Sequence, residues 1–233
     1  TVGDVNGEAK ANMGIGQARL AQGLHREAMS FLKRAIEQLK TIGDAHCEAE
    51  CLWLLGRAHH ETGSEQEARA LLDRALTMIR EIGDRDDEFR ILIDLARLHV
   101  TRAELRDASE RALTARGIAE SLGNREGSAL ATLELARVDL AGGNAPKAVE
   151  TARRVTAVLE ELRSSERWRA WSVLGLLESV SGDVEQARVS LGRAVELLDA
   201  IRQQIDPGDT DRHEQIARNC AVPIEALRIL SGC

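Results

Sequence analysis

The chain has 233 residues, 30% of them charged, 43% hydrophobic and 2% aromatic, with a formal net charge of −7. Helix formers dominate, prolines occur only at Pro146, Pro207 and Pro223, and no apolar run approaches the ~18 residues needed to cross a bilayer, which is the balance of a soluble helical protein. The acidic charge and the scarcity of stacking aromatics argue against nucleic-acid binding, and no Lys/Arg-rich amphipathic segment offers a membrane-surface anchor. Arg outnumbers Lys by 27 to 4, the bias of a GC-rich bacterial genome, and the expected location is the cytoplasm. The chain opens inside a repeat junction without an initiator Met, so it is expected to be a fragment of a longer protein.

Taken from the N-terminus, a junction returns every 40 residues: Val2-Gly3-Asp4, Ile42-Gly43-Asp44, Ile82-Gly83-Asp84, Leu122-Gly123-Asn124, then the degraded Leu162-Arg163-Ser164. A strict period in this range marks a stacked-repeat solenoid. The units predicted are 4–42, 44–82, 84–122, 124–162 and 164–203, followed by a cap or linker over 204–233. Each unit reads as a helix pair, because apolar residues fall at i, i+3, i+4 and i+7 over four or more turns. Small residues recur twelve apart in each: Gly16 and Ala28, Gly56 and Ala68, Ala96 and Ala108, Ala136 and Ala148, Gly175 and Ala187. A larger side chain there would hold two antiparallel helices apart.

The turn inside each pair carries Gly23, Gly63, Gly142-Gly143-Asn144 or Gly182-Asp183. The third unit has Ala103 instead, where a positive φ would cost roughly 1 kcal/mol, so that turn is expected to be built differently. Asp4, Asp44, Asp84 and Asn124 are predicted to cap the helices that begin each unit. After the fifth pair, Ile205-Asp206-Pro207-Gly208-Asp209 breaks the pattern. A capping helix is expected over Thr210 to Asn219, and Pro223 is expected to open a further short helix through Leu230.

These residues resemble the tetratricopeptide repeat, whose pattern places small residues at its eighth, twentieth and twenty-seventh positions, over about residues 5 to 203. The unit is 40 residues where the family usually has 34, no proline ends the second helix, there is no tyrosine, and only Trp171 lies near the expected tryptophan. This is similar to the extended variety of polarity adaptors, kinesin light chains and large bacterial signalling and transcription regulators. The resemblance implies an all-α, right-handed superhelical solenoid of about five antiparallel helix pairs with a C-terminal capping helix.

Catalytic motifs are absent from the sequence: there is no GxxxxGK[ST] loop, no HExxH and no nucleophile elbow, and Gly14-Ile15-Gly16 sits in a helix pattern without a preceding strand. No enzyme activity, cofactor or metal is expected. Cys47 and Cys51 share a helix face without a second Cys/His pair and read as small buried hydrophobes; Cys220 and Cys233 lie in the tail. His59, His60 and His99 read as packing or solvated residues.

In the family, binding occurs on the concave surface lined by the first helix of each pair. Carried over by place, the residues after the first small sites are Gln17, Arg57, Arg97, Arg137 and Leu176. Four residues earlier stand Met13, Trp53, Ile93, Leu133 and Ser172, an apolar rail beside an arginine ladder. A Trp beside an Arg is the composition of a binding hot spot. Across the groove positions, Lys10, Arg57, Arg90, Arg97, Arg137 and Arg169 oppose Glu50, Glu61, Asp94 and Glu134, a surplus of about +2, and His60 completes the set. The expected partner is an acidic or mixed apolar-acidic peptide or protein, held by a non-catalytic scaffold in a larger bacterial signalling protein. Against this, Asp94 with Arg97 and Glu134 with Arg137 sit three apart and can neutralise one another. Two alternatives are a small-effector-sensing domain, marked by a closed pocket, and a module that self-associates through exposed terminal repeats.

Overall fold

The structure, a computed structural model, describes residues 4–203 and 210–231. Among the described residues every regular element is a helix: α1 (Val5–Ala21), α2 (His25–Ile42), α3 (Ala45–Glu61), α4 (Glu65–Ile82), α5 (Arg85–Thr101), α6 (Leu105–Ser121), α7 (Arg125–Ala141), α8 (Ala145–Glu161), α9 (Arg167–Val180), α10 (Val184–Gln203) and α11 (Thr210–Ser231). They form consecutive packed pairs of the repeat-solenoid type.

The caps explain why the odd-numbered helices start where they do. The side chains of Asp4, Asp44, Asp84 and Asn124 accept from the backbone N–H of Gly7 (2.9 Å), Cys47 (3.1 Å), Asp87 (3.0 Å) and Gly127 (2.7 Å). Each satisfies one of the donors that a helix start leaves without a partner. The fifth pair departs from this: α9 has no side-chain cap, and the Ser164 hydroxyl accepts from the N–H of Glu166, the residue before the helix, at 2.9 Å.

The chain divides into two compact units, Thr1–Leu98 and His99–Cys233, with the boundary inside α5. In the first, α1 packs on α2, α2 on α3 and α3 on α4, while α1 also touches α3. In the second, the same succession runs from α6 to α11, and α7 touches α9. The predicted close approaches are present in both. A Cβ added at Gly16, Gly56 or Gly175 would lie 2.7, 2.9 or 2.6 Å from the Cγ of Leu32, Leu72 or Leu191. Ala28, Ala68, Ala96, Ala108, Ala136, Ala148 and Ala187 are fully buried.

Two expectations change. Ala103 has φ 58°, the conformation that Gly63 and Gly143 adopt, so its turn is built like the others and carries the strain; Arg163, with φ 51°, does the same between units. Five-residue closing bonds, such as Glu104 N–H to His99 O at 2.9 Å, hold the Ala103 turn as they hold the glycine turns. Pro223 does not begin a new helix but lies buried inside the single helix α11. A proline removes one N–H donor, and α11 packs against α10 and α9, where Ile216 and Leu198 form a core with Trp168 and Ile201. The predicted break at Ile205-Asp206-Pro207-Gly208-Asp209 lies outside the described residues.

Candidate functional site

In the Thr1–Leu98 unit, α3 and α5 bring three of the sequence-predicted residues onto one carboxylate. Trp53 donates its indole N–H to Asp94 Oδ2 at 2.7 Å. Arg97, one turn along α5, donates to Asp94 Oδ1 at 3.1 Å, and Arg57 Nε lies 3.6 Å from Oδ2. The Arg57 guanidinium also sits over the Trp53 ring, 5.8 Å from its centroid. Trp53 and Arg57 are one turn apart on α3, and Asp94 and Arg97 one turn apart on α5, so helix spacing alone builds the cluster once the two helices are fixed. Trp53 is half-buried and the Arg57 side chain is 43% exposed.

The other predicted residues are placed differently. On α1, Met13 is half-buried and Gln17 exposed, and on α3 His60 is half-buried. Arg90 pairs with Asp87 at 3.3 Å and lies over Phe89. Ile93 and Leu133 are buried in the core, at 6% and 2% exposure, which leaves them little surface to offer a ligand. In the His99–Cys233 unit, Arg137 Nε lies 3.5 Å from buried Glu134, and Arg169 pairs with Glu166 at 2.7 Å over the Trp168 ring. Arg57, Arg90 and Arg97 of the first unit each lie within 3.6 Å of a carboxylate, Asp94 or Asp87.

Cys51 is fully buried and its thiol is pushed up to about 12 by burial first of all; Cys47 is also raised, again chiefly by burial. Both stay protonated and behave as small apolar groups. His99 is buried with Nδ1 2.6 Å from Glu104 Oε2, and burial lowers the pKa of His59.

One feature escaped the sequence. Between the end of α6, the start of α7 and α8 lies a cleft of about 420 Å³, floored by Ala129, Val155 and Val158 and rimmed by Asn124, Arg125 and Arg154. Arg125 pairs with Glu161 at 3.1 Å, whereas Arg154 makes no ion pair among the described residues.

The family model for the tetratricopeptide repeat matches residues 7–81. Residues 7–81 are tetratricopeptide repeats. No curated protein matches the chain in sequence. Solved structures share the tetratricopeptide-like fold at low identity. A Rap protein complexed with Competence and Sporulation Factor has a TM-score of 0.72 at 14% identity, over 97% of this chain and 76% of that one. The Rap conjugation gene regulator of plasmid pLS20, in complex with a Phr peptide, has 0.66 at 18%, over 98% and 65%. The nearly identical kinesin-light-chain repeats of Podosopora anserina have 0.60 at 20%, over 84% and 96%. No helix among the described residues is long and apolar enough to cross a membrane.

Proposed function

We propose that the chain is a non-catalytic interaction module of a larger bacterial signalling protein, and that the tetratricopeptide repeats of its first unit hold a peptide carrying both an apolar and an acidic side chain. The observation that carries this is the Trp53–Arg57–Asp94–Arg97 cluster. Asp94 has already satisfied the indole N–H, so what the half-buried ring shows to solvent is apolar, with no unmet donor attached. Arg57 approaches Asp94 only through Nε at 3.6 Å and makes no hydrogen bond, so its terminal amino groups remain open to a carboxylate. A planar fork beside an indole suits a peptide in which an Asp or Glu neighbours a bulky apolar residue. The pairing of Arg57, Arg90 and Arg97 with Asp94 and Asp87 favours that mixed composition over a uniformly acidic one. The Rap neighbours in complex with a factor and with a peptide are consistent with it.

The test is selection of a random twelve-residue peptide display library on the purified chain, followed by anisotropy titration of the enriched peptides. Enriched sequences should pair an acidic with an aromatic or aliphatic residue, and Arg57→Glu should weaken them about thirtyfold, the loss of roughly 2 kcal/mol expected at a hot spot. Peptides that bind Arg57→Glu as well as the unaltered chain would defeat the proposal.

A second reading, small-effector sensing, rests on the cleft at Arg154, which is open to solvent rather than the closed pocket that would mark such a domain. Its volume of about 420 Å³ falls in the range of drug-sized ligand pockets, and its unpaired Arg154 beside an apolar floor suits an organic acid.

A further inference from the structure

We propose that His46, Asp84 and Asp87 form a binding site for a divalent transition-metal ion of the zinc class, tying the first turn of α3 to the first turn of α5. His46 Nε2 lies 3.2 Å from Asp84 Oδ2 and 3.7 Å from Asp87 Oδ2, and the three ligand atoms all fall within 4.8 Å of one another. A tetrahedral ion with ligands at about 2.0–2.2 Å requires ligand-to-ligand edges of roughly 3.3–3.5 Å, and the two edges from His46 Nε2, 3.2 and 3.7 Å, lie within a few tenths of an ångström of that range.

The carboxylates are oriented for this by their other oxygens. Asp84 Oδ1 accepts the Asp87 backbone N–H at 3.0 Å, and Asp87 Oδ1 accepts from Arg90 at 3.3 Å, which leaves both Oδ2 atoms turned toward the imidazole. Metal ligands are commonly steered in this way by outer partners. One imidazole and two carboxylates, with a side left open to water, make the mixed N/O set of three-ligand zinc sites. The His46 side chain is 45% exposed, which gives an ion a route in.

The local charge supports a cation. Glu50 stands one turn after His46, and its pKa is raised first by burial and then by the charge of Asp87; that of Asp87 is raised first by burial and then by Asp84. Three carboxylates therefore crowd a space where Arg90 supplies the fixed positive charge. Asp44, which caps α3, and Lys10 complete the charged surroundings. The neighbouring thiols compete poorly, since Cys47 and Cys51 are both held protonated.

The test uses the whole chain, stripped with a chelator and titrated with Zn²⁺ by calorimetry and with Co²⁺ by visible absorption, alongside thermal melts. One ion per chain, a four-coordinate Co²⁺ spectrum and a raised Tm are expected. His46→Gln and Asp87→Asn should each weaken binding by at least about tenfold. Asp84→Asn should do the same while keeping the α5 cap, because an Asn oxygen accepts the same backbone bond, so its metal-free melt shows whether the fold is intact. Cys47→Ser with Cys51→Ser should bind like the unaltered chain. Absence of binding, equal binding by His46→Gln, or a loss confined to the cysteine variant would each overturn the assignment.

Discussion

Gly56→Ala tests whether close helix approach, rather than turn chemistry, fixes the repeat. The added Cβ would lie 2.9 Å from Leu72 Cγ, 3.0 Å from its Cδ2 and 3.3 Å from the Ala68 carbonyl oxygen. Carbon contacts sit at about 3.5–4.0 Å, so Leu72 must retreat by more than half an ångström, yet it is 1% exposed and has nowhere to go. Overpacking of this kind costs about 1–3 kcal/mol, and the gain in helix propensity from Gly to Ala returns about 0.8–1.0 kcal/mol. The net expectation is a loss of about 1 kcal/mol. Leu72→Ala alone should cost about 2–5 kcal/mol. In that shortened background the obstructing Cγ is gone, so Gly56→Ala should now stabilise by up to about 1 kcal/mol, a coupling of about 2 kcal/mol. Urea unfolding followed by far-ultraviolet circular dichroism, on the four proteins of the cycle, measures it. Additivity within about 0.5 kcal/mol, or stabilisation by Gly56→Ala in the unaltered chain, would refute the reasoning.

Three further outcomes are expected. Ala103→Gly and Arg163→Gly, at φ 58° and 51°, should each stabilise by about 0.5–1 kcal/mol, because the left-handed strain removed exceeds the entropy that glycine adds to the unfolded chain; equilibrium melts report it. Arg153→Ala should destabilise by about 2 kcal/mol, since Arg153 donates twice to Glu178 Oε1, at 3.1 and 2.7 Å, and leaves that 1%-exposed carboxylate with Ser190 alone; Glu178→Gln in the same background should recover part of the loss in urea titrations. The Glu104 carboxyl is held below its ordinary 4.5, first by the Arg102 hydrogen bond and then by that of His99. Its stabilising effect is therefore complete above the ordinary value and fades as the pH falls through the depressed one, so the gap in Tm between the unaltered chain and Glu104→Gln should close on acidification. A gap that widens instead would contradict that direction.

The repeat was legible because its punctuation rests on residue types with few substitutes. A cap position admits Asp or Asn, and a helix crossing admits Gly or Ala, so Asp44, Asp84, Gly56 and Ala68 announce their roles by identity. Where tertiary packing overrides identity, the sequence misleads: Ala103 takes the conformation of a glycine because neighbouring backbone bonds close the same turn around it. Pro223 lies within a helix because packing on α10 outweighs one missing donor. The candidate binding face was legible only as a set of positions. Trp53, Ile93 and Leu133 occupy equivalent places, but an indole is too large to vanish between neighbouring helices while Ile and Leu sink into the core. The bonds of Trp53 to Asp94 and of His46 to Asp84 join residues 41 and 38 positions apart, close to one repeat. Periodicity therefore says which positions will meet and is silent on whether the side chains there have anything to exchange. Asp84 makes the difference concrete. The period requires only the oxygen that caps α5, and the second oxygen is free to take whatever the preceding repeat presents. The equivalents of His46 in the first, third and fourth repeats are Asn6, Asp86 and Glu126, so of these four repeats one sets an imidazole against a cap, and the proposed metal site belongs to that one departure from the pattern.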